Sequence, residues 1–154
     1  MRRATLFIVS GLPGAGKTTQ ALALEAETGA VRMEPDGWLA ALDLDLWDEK
    51  RRAAIEALQW TLSRRYLAAG VDVIVEWGSW GRAERLALAA EAKALGARAE
   101  LHWLTAPLEV LLERLAARGR EDPPITRADL AGWIAAFEAP DAAELRFYDA
   151  VRTL

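Results

Sequence analysis

Ser10-Gly11-Leu12-Pro13-Gly14-Ala15-Gly16-Lys17-Thr18-Thr19 matches the pattern G-x-x-x-x-G-K-[ST] at each specified position. Before it, Thr5 to Val9 (TLFIV) is an apolar run of strand length, and after it Thr19 to Thr28 is rich in the helix formers Ala, Leu and Glu. The stretch therefore joins a strand to a helix. In that frame successive backbone N–H groups and the positive end of a helix can surround a polyphosphate. Gly11, Gly14 and Gly16 can adopt positive φ and carry no Cβ to hold a phosphate away. The predicted nucleotide contacts are Gly11, Gly14, Ala15, Gly16, Lys17, Thr18 and Thr19, with Lys17 reaching the β- and γ-phosphates and the Thr18 hydroxyl on Mg²⁺.

At 154 residues and 53% hydrophobic, the chain is long enough for one core and too short for two ordinary domains. The expectation is a single domain over residues 1–154. The formal net charge of -4 supplies no strong positive field for a nucleic-acid backbone. Without cysteine there is no disulfide framework or thiol nucleophile, which suits a reducing compartment. The opening MRRATLFIVSG is basic and then apolar, but the apolar part is too short for an export signal or a membrane span. These features predict a cytoplasmic protein with no membrane partner.

Further along, Ala30 to Met33 is a short strand leading into Glu34-Pro35-Asp36-Gly37-Trp38. Ligands of open α/β sheets collect beyond the carboxyl ends of the strands, so Asp36 is placed in the crevice beside the phosphate loop; the bland alternative is an Asp-Gly turn. Leu39 to Trp47 reads as a short helix and a turn. Asp48 to Ala69 reads as a long helix with core face Ile55, Leu58, Leu62, Tyr66 and Ala69. Val71 to Glu76 is the clearest buried strand and delivers Glu76 to the same edge as Asp36. The tryptophans of Trp77-Gly78-Ser79-Trp80-Gly81 either pack beneath their loop or wall a ligand.

A helix over Ala83 to Leu95 presents Leu86, Ala87, Ala90 and Ala94, and Ala99 to Thr105 is a fourth strand whose His102, the one histidine, has no partner motif. Pro107 opens a helix with core face Leu108, Leu111, Leu112 and Leu115. It ends in a charged stretch with Arg114, Arg118, Arg120 and Pro123-Pro124, read as a small mobile lid at about 114–125. Arg118 is the phosphate-holding candidate, while Arg114, Arg120 and Arg127 fit a solvated face as well as a phosphate. Thr126 and Asp129 form a capping box before a helix with core face Leu130, Trp133, Ile134 and Phe137. Asp149 to Leu154 supplies a fifth strand, so strands and helices alternate as in a parallel sheet covered on both faces.

The loop GLPGAGKTT, Asp36 after the second strand, Glu76 at the third and the arginine-bearing segment around Arg118 together resemble the small P-loop kinases, within the group that includes chloramphenicol phosphotransferase, the zeta toxins and polynucleotide 5'-kinase. The resemblance implies an α/β three-layer fold with sheet order 2-3-1-4-5. It also implies ATP and Mg²⁺ as cofactors, Asp36 as base or orienter of an acceptor hydroxyl, and Arg118 embracing the phosphates. On this reading Lys17, Asp36 and Arg118 are the catalytic residues, and Thr18 and Glu76 serve the metal. The acceptor, a small molecule such as an antibiotic, nucleoside or sugar-like compound, meets Asp36, Trp38, Glu76, Trp77, Trp80 and Arg82, with Arg85 as an alternative polar contact. A nucleotide-dependent switch with slow hydrolysis is the rival from another class. A nucleic-acid 5'-end kinase is disfavoured by the acidic balance. The protein is expected as a monomer or homodimer.

Overall fold

β1 (Thr5–Ser10) is buried at every position, which is why its apolar run shows no alternation: a central strand covered on both faces never meets water. Gly16 then turns the chain at φ 102° into α1 (Lys17–Thr28), which ends at Gly29 with φ 72°. Both angles lie in the left-handed region open to glycine. The computed structural model describes residues 2–154. Its elements continue with β2 (Val31–Met33), α2 (Pro35–Ala41), α3 (Glu49–Ala68), β3 (Val73–Gly78), α4 (Arg82–Ala94), β4 (Arg98–Trp103), α5 (Leu108–Arg118), α6 (Arg127–Ala136), α7 (Ala142–Leu145) and β5 (Ala150–Thr153). Among the described residues the strands form one parallel sheet in the order β2-β3-β1-β4-β5, so the expected α/β class and strand order are both found.

Side chains alternate across this sheet. Leu6, Ile8, Val73, Val75 and Leu101 pack with Leu67 of α3 and Leu88 and Ala92 of α4, while Phe7, Val9 and Ile74 pack with Leu24 of α1, Leu111 and Leu115 of α5 and Leu130 of α6. The order reverses at β1, which stands between β3 and β4. A crevice therefore opens beyond the carboxyl ends of β1 and β3, where open α/β sheets take their ligands.

Several helices differ from the sequence expectation. α2 starts at Pro35 rather than Leu39, because the Glu34 carboxylate caps it by accepting from Gly37 N at 2.7 Å and Pro35 fits the first turn. α3 buries Ile55, Gln59, Ser63 and Leu67, whereas Leu58 and Tyr66 are exposed. Its buried stripe is partly polar because those groups find partners: Ser63 Oγ donates to Gln59 O at 2.7 Å, and Gln59 Nε2 to Glu34 O at 3.0 Å. α4 buries Arg85, Leu88, Ala89 and Ala92 rather than Ala87, Ala90 and Ala94; an alanine-rich helix offers little contrast between its faces. In α6 only Leu130 is fully buried and Ile134 is exposed.

Arg85 explains the choice made by α4. Its guanidinium pairs with Glu144 through Nε at 2.7 Å and Nη2 at 2.8 Å, with both side chains 0% exposed. It also donates to the carbonyls of Ser79, Trp80 and Glu138, and Tyr148 Oη donates to Glu144 Oε2 at 2.7 Å. The group suggested by sequence as an acceptor contact is therefore a structural tie between the β3–α4 loop, the end of α6 and α7. Removing one partner of such a pair leaves an uncompensated buried charge. Glu144→Ala should accordingly lower the unfolding free energy by about 3–5 kcal/mol, seen as a lower urea midpoint at unchanged slope. Arg82→Ala, whose exposed guanidinium stands 3.6 Å from Asp141, should leave the midpoint nearly unchanged.

Candidate active site

The phosphate loop is shaped from behind. A Cβ on Gly11 would stand 2.9 Å from Leu104 O, and one on Gly14 3.0 Å from Leu111 O, so both positions exclude side chains. Gly14 and Gly16 have φ of 84° and 102°, which turns the intervening amides toward one side. Lys17 Nζ donates to Leu12 O of its own loop at 3.0 Å. Burial lowers the Lys17 ammonium to about 8, against the pull of Glu76.

Thr18, in the first turn of α1, donates from Oγ1 to Glu76 Oε2 at 3.0 Å. Glu76 lies within β3, which runs on to Gly78 instead of stopping at the carboxylate. Its other oxygen, Oε1, accepts from Arg32 Nε at 3.0 Å and lies 2.9 Å from Arg32 Nη2. Arg32, on the neighbouring strand β2, carried no sequence signal of its own; the pairing of Arg32 with Ile74 in register brings it beside Glu76.

Asp36 sits in the first turn of α2 and lines the same cavity of about 500 Å³ as Lys17, Thr18, Glu76 and Arg118. Its carboxylate is held on one oxygen by Arg52 of α3 and on the other by Arg120. Burial pushes the Asp36 carboxyl up, but Arg52, by charge and hydrogen bond, together with Arg120 and Lys17, outweighs it and holds the group below the usual aspartate range. Arg52 lies off the apolar face predicted for its helix, and it reaches the cavity because α3 packs beside α2.

Trp77 and Trp80 both line this cavity. Trp77 Nε1 donates to the buried Gln59 Oε1 at 2.8 Å, which fixes the ring. Trp80 packs against Trp133 with the rings tilted and 5.9 Å between centroids, and Trp133 against Trp47 in the same way at 6.1 Å. Trp133, assigned by sequence to the core, and Trp47 thus extend the aromatic wall; a helical period cannot tell a core aromatic from one facing a cavity. Trp38 does not belong to it, since it packs against the core shared with α3 and α4. Arg82 is turned toward Asp141 and does not line the cavity.

Arg118 reaches the cavity and donates to Glu121 at 2.5 Å; Arg114 also lines it and donates to Gly14 O at 3.1 Å. Arg127 pairs instead with Glu109 on the surface. His102 is buried, 2.9 Å from Gln20 Nε2 and 3.1 Å from Glu100 Oε2, and burial pushes its imidazolium down. Those contacts hold the ring in the core, away from the cavity.

The sequence profile of a family described as an AAA domain matches residues 6–140. The chain belongs to this AAA domain family. Among solved structures, the AAA domain superposes on a candidate kinase of Chloroflexus aurantiacus with TM-score 0.78 and 20% identity, covering 99% of this chain and 88% of that one. On Kti12 of Chaetomium thermophilum in complex with ADP-AlF3 the TM-score is 0.72 and the identity 22%, over 97% of this chain and 88% of that chain. On a gluconokinase of Sinorhizobium meliloti they are 0.65 and 19%, over 100% and 83%. These likenesses establish a shared fold, that of the P-loop kinases to which the sequence was compared. No curated protein matches the sequence. No helix among the described residues is long and apolar enough to cross a membrane.

The lowered Lys17 gives this AAA domain a measurable signature. A bound phosphate favours the charged ammonium that burial disfavours, so binding above pH of about 8 must take up a proton. ADP affinity should fall as pH rises through that value. Calorimetry in two buffers of different ionisation enthalpy should show proton uptake at about pH 9 that shrinks as the pH is lowered to about 7.5, where the ADP phosphates are still ionised.

Proposed function

We propose that the chain is an ATP-dependent kinase that transfers the γ-phosphate to a hydroxyl of a small molecule. The observation that carries this reading is that Asp36, held by arginines, shares one cavity with Lys17 and the phosphate loop. A pure nucleotide pocket has no use for a second, aromatic-walled half with a carboxylate at its head. Phosphoryl transfer asks for positioning and charge neutralisation more than covalent chemistry, and the groups that line this cavity are suited to both.

In the proposed mechanism the loop amides from Gly11 to Thr19 and the Lys17 ammonium hold the phosphates, and Arg118 adds positive charge from the last turn of α5, beside residues 119–125, which serve as a lid shorter than the expected 114–125 because α5 packs Leu115 into the core. Asp36 accepts the hydrogen bond of the acceptor hydroxyl and aims its oxygen along the transfer line. With its proton affinity depressed by two arginines, Asp36 is a better orienter than a strong base, which suits a loose transition state in which little proton transfer has occurred. Thr18 and Glu76, two oxygen donors 3.0 Å apart, suit a hard cation that keeps its waters and leans on phosphate oxygens. Mg²⁺ held there would neutralise charge on the phosphates. Trp77, Trp80 and Trp133 offer flat apolar faces to the rest of the acceptor, favouring a molecule with a ring or an apolar sugar face.

A second reading, a nucleotide switch, draws on the likeness to Kti12, whose structure holds ADP-AlF3. The two part at Asp36. In a screen of hydroxyl-bearing metabolites and antibiotics with labelled ATP, the kinase reading expects a phosphorylated product. It also expects Lys17→Ala to abolish turnover while the fold survives, and Asp36→Asn to lower kcat for transfer at least about tenfold. Transfer within about twofold of wild type in Asp36→Asn would leave Asp36 a turn residue.

A further inference from the structure

Each cation lining the cavity already has a protein acceptor. Lys17 is bonded to Leu12 O at 3.0 Å, Arg114 to Gly14 O at 3.1 Å and Arg118 to Glu121 at 2.5 Å. Those acceptors belong to the phosphate loop or to the lid itself, and a phosphate could replace them without disturbing anything else. Arg120 differs. Its Nε stands 3.9 Å from Glu121, but its hydrogen bond goes to Asp36 of α2, so this contact ties the segment after α5 to an element outside both the phosphate loop and the lid.

A second contact braces the same span: Trp47 Nε1, from the loop before α3, donates to Pro123 O at 3.1 Å, and its ring lies against Trp133 of α6. Arg52 belongs to the fixed body of the domain and holds one oxygen of Asp36 through a helix that packs against α2. Arg120 lies just past the end of α5, beyond Gly119 at φ 56°, and holds the other. While it does so, both oxygens of Asp36 are taken by arginines. The Arg120 side chain is 40% exposed and that of Asp36 27%, so the pair is screened and weak enough to be exchanged for a multiply charged phosphate.

We propose that Arg120 masks Asp36 in the nucleotide-free protein and is drawn off by the phosphates of an arriving nucleotide, so that the acceptor carboxylate is available only once the nucleotide is in place. This rests on the kinase reading and specifies its order: nucleotide first, acceptor second. Arg120 is a positioning residue here, the link through which one half of the cavity senses the other. By linkage the coupling is reciprocal, and a group that frees Asp36 of Arg120 raises nucleotide affinity by the same factor. The latched population acts as a tax on nucleotide binding, since the apparent dissociation constant scales with the inverse of the competent fraction.

A double-mutant cycle tests it with Mg-AMP-PNP as probe, affinities being read by calorimetry on wild type, Asp36→Asn, Arg120→Met and the double variant, each first checked for an unaltered thermal transition. Removing the Asp36 charge should tighten AMP-PNP by about fivefold when Arg120 is present and by less than about twofold when it is Met. Asp36→Ala, which leaves no oxygen for Arg120, repeats the cycle and should give the same pattern. An equal gain in both backgrounds would mean that Asp36 merely repels the phosphates, and would overturn the latch; no gain in either would overturn it too. If wild type failed to bind AMP-PNP at all, the nucleotide site and the kinase reading would fall with it, an outcome distinct from a flat cycle.

Discussion

A loop whose amides all turn toward a ligand must be held rigidly from behind, and here the holding is done by backbone. Gly11 N donates to Gly78 O at 2.9 Å, and Leu104 N to Ser10 O at 2.9 Å, so the loop hangs between the carboxyl ends of β3 and β4. The bond to Gly78 also accounts for β3 running past Glu76. Between Ile8 and Ser10 the register of β1 against β3 slips, pairing Ser10 with Gly78, and bulges of this kind re-aim side chains beside active sites. From that slip follow the placement of Glu76 against Thr18 and of Trp77 against Gln59. Gly78, at φ 88°, leaves no room for a Cβ, which would meet Trp80 Nε1 at 3.0 Å.

The cavity is electrostatically dense, and its charges are arranged in pairs. Arg32 with Glu76, Arg52 and Arg120 with Asp36, and Arg118 with Glu121 each keep a charge satisfied while solvent is partly excluded. Low local dielectric strengthens such pairs and makes an orphan costly. The fully buried Arg85–Glu144 pair serves a different end, since it has no route to the cavity and clamps the loops that frame it.

Much of this could be read in the chain. The G-x-x-x-x-G-K-[ST] spacing carries its own geometry, because the turn, the close approach and the lysine are all local. The buried strands announced themselves by unbroken apolar runs, and the capping box at Thr126 and Asp129 is present as expected. Lys17, Thr18, Asp36, Glu76, Trp77, Trp80 and Arg118 line the cavity, as strand ends and motif order suggested. Arg52, Trp47 and Trp133 were not singled out for it, since each reaches the site by a helix or loop folding back from a distant part of the chain, and Arg120, which fitted a phosphate or a solvated face equally, lines it beside Arg114 while Arg127 does not. Trp38, Arg82 and Arg85 had the right chemistry and neighbourhood in sequence but point elsewhere.

By itself, then, the sequence determined the class of fold, the strand order implied by its resemblance and the position of the glycine-rich loop between β1 and α1, because these depend on residues within one turn, one strand or one short motif. Only the tertiary structure decided which face each helix buries and which charges meet. α3 turns Gln59 and Ser63 inward because their partners Glu34 and Trp77 come from other elements. α4 turns Arg85 inward because Glu144 waits fifty-nine residues away. Hydrophobic periodicity weighs a polar side chain as if it faced water, and a buried polar group is stable only through partners whose distance in sequence hides them until the chain has folded.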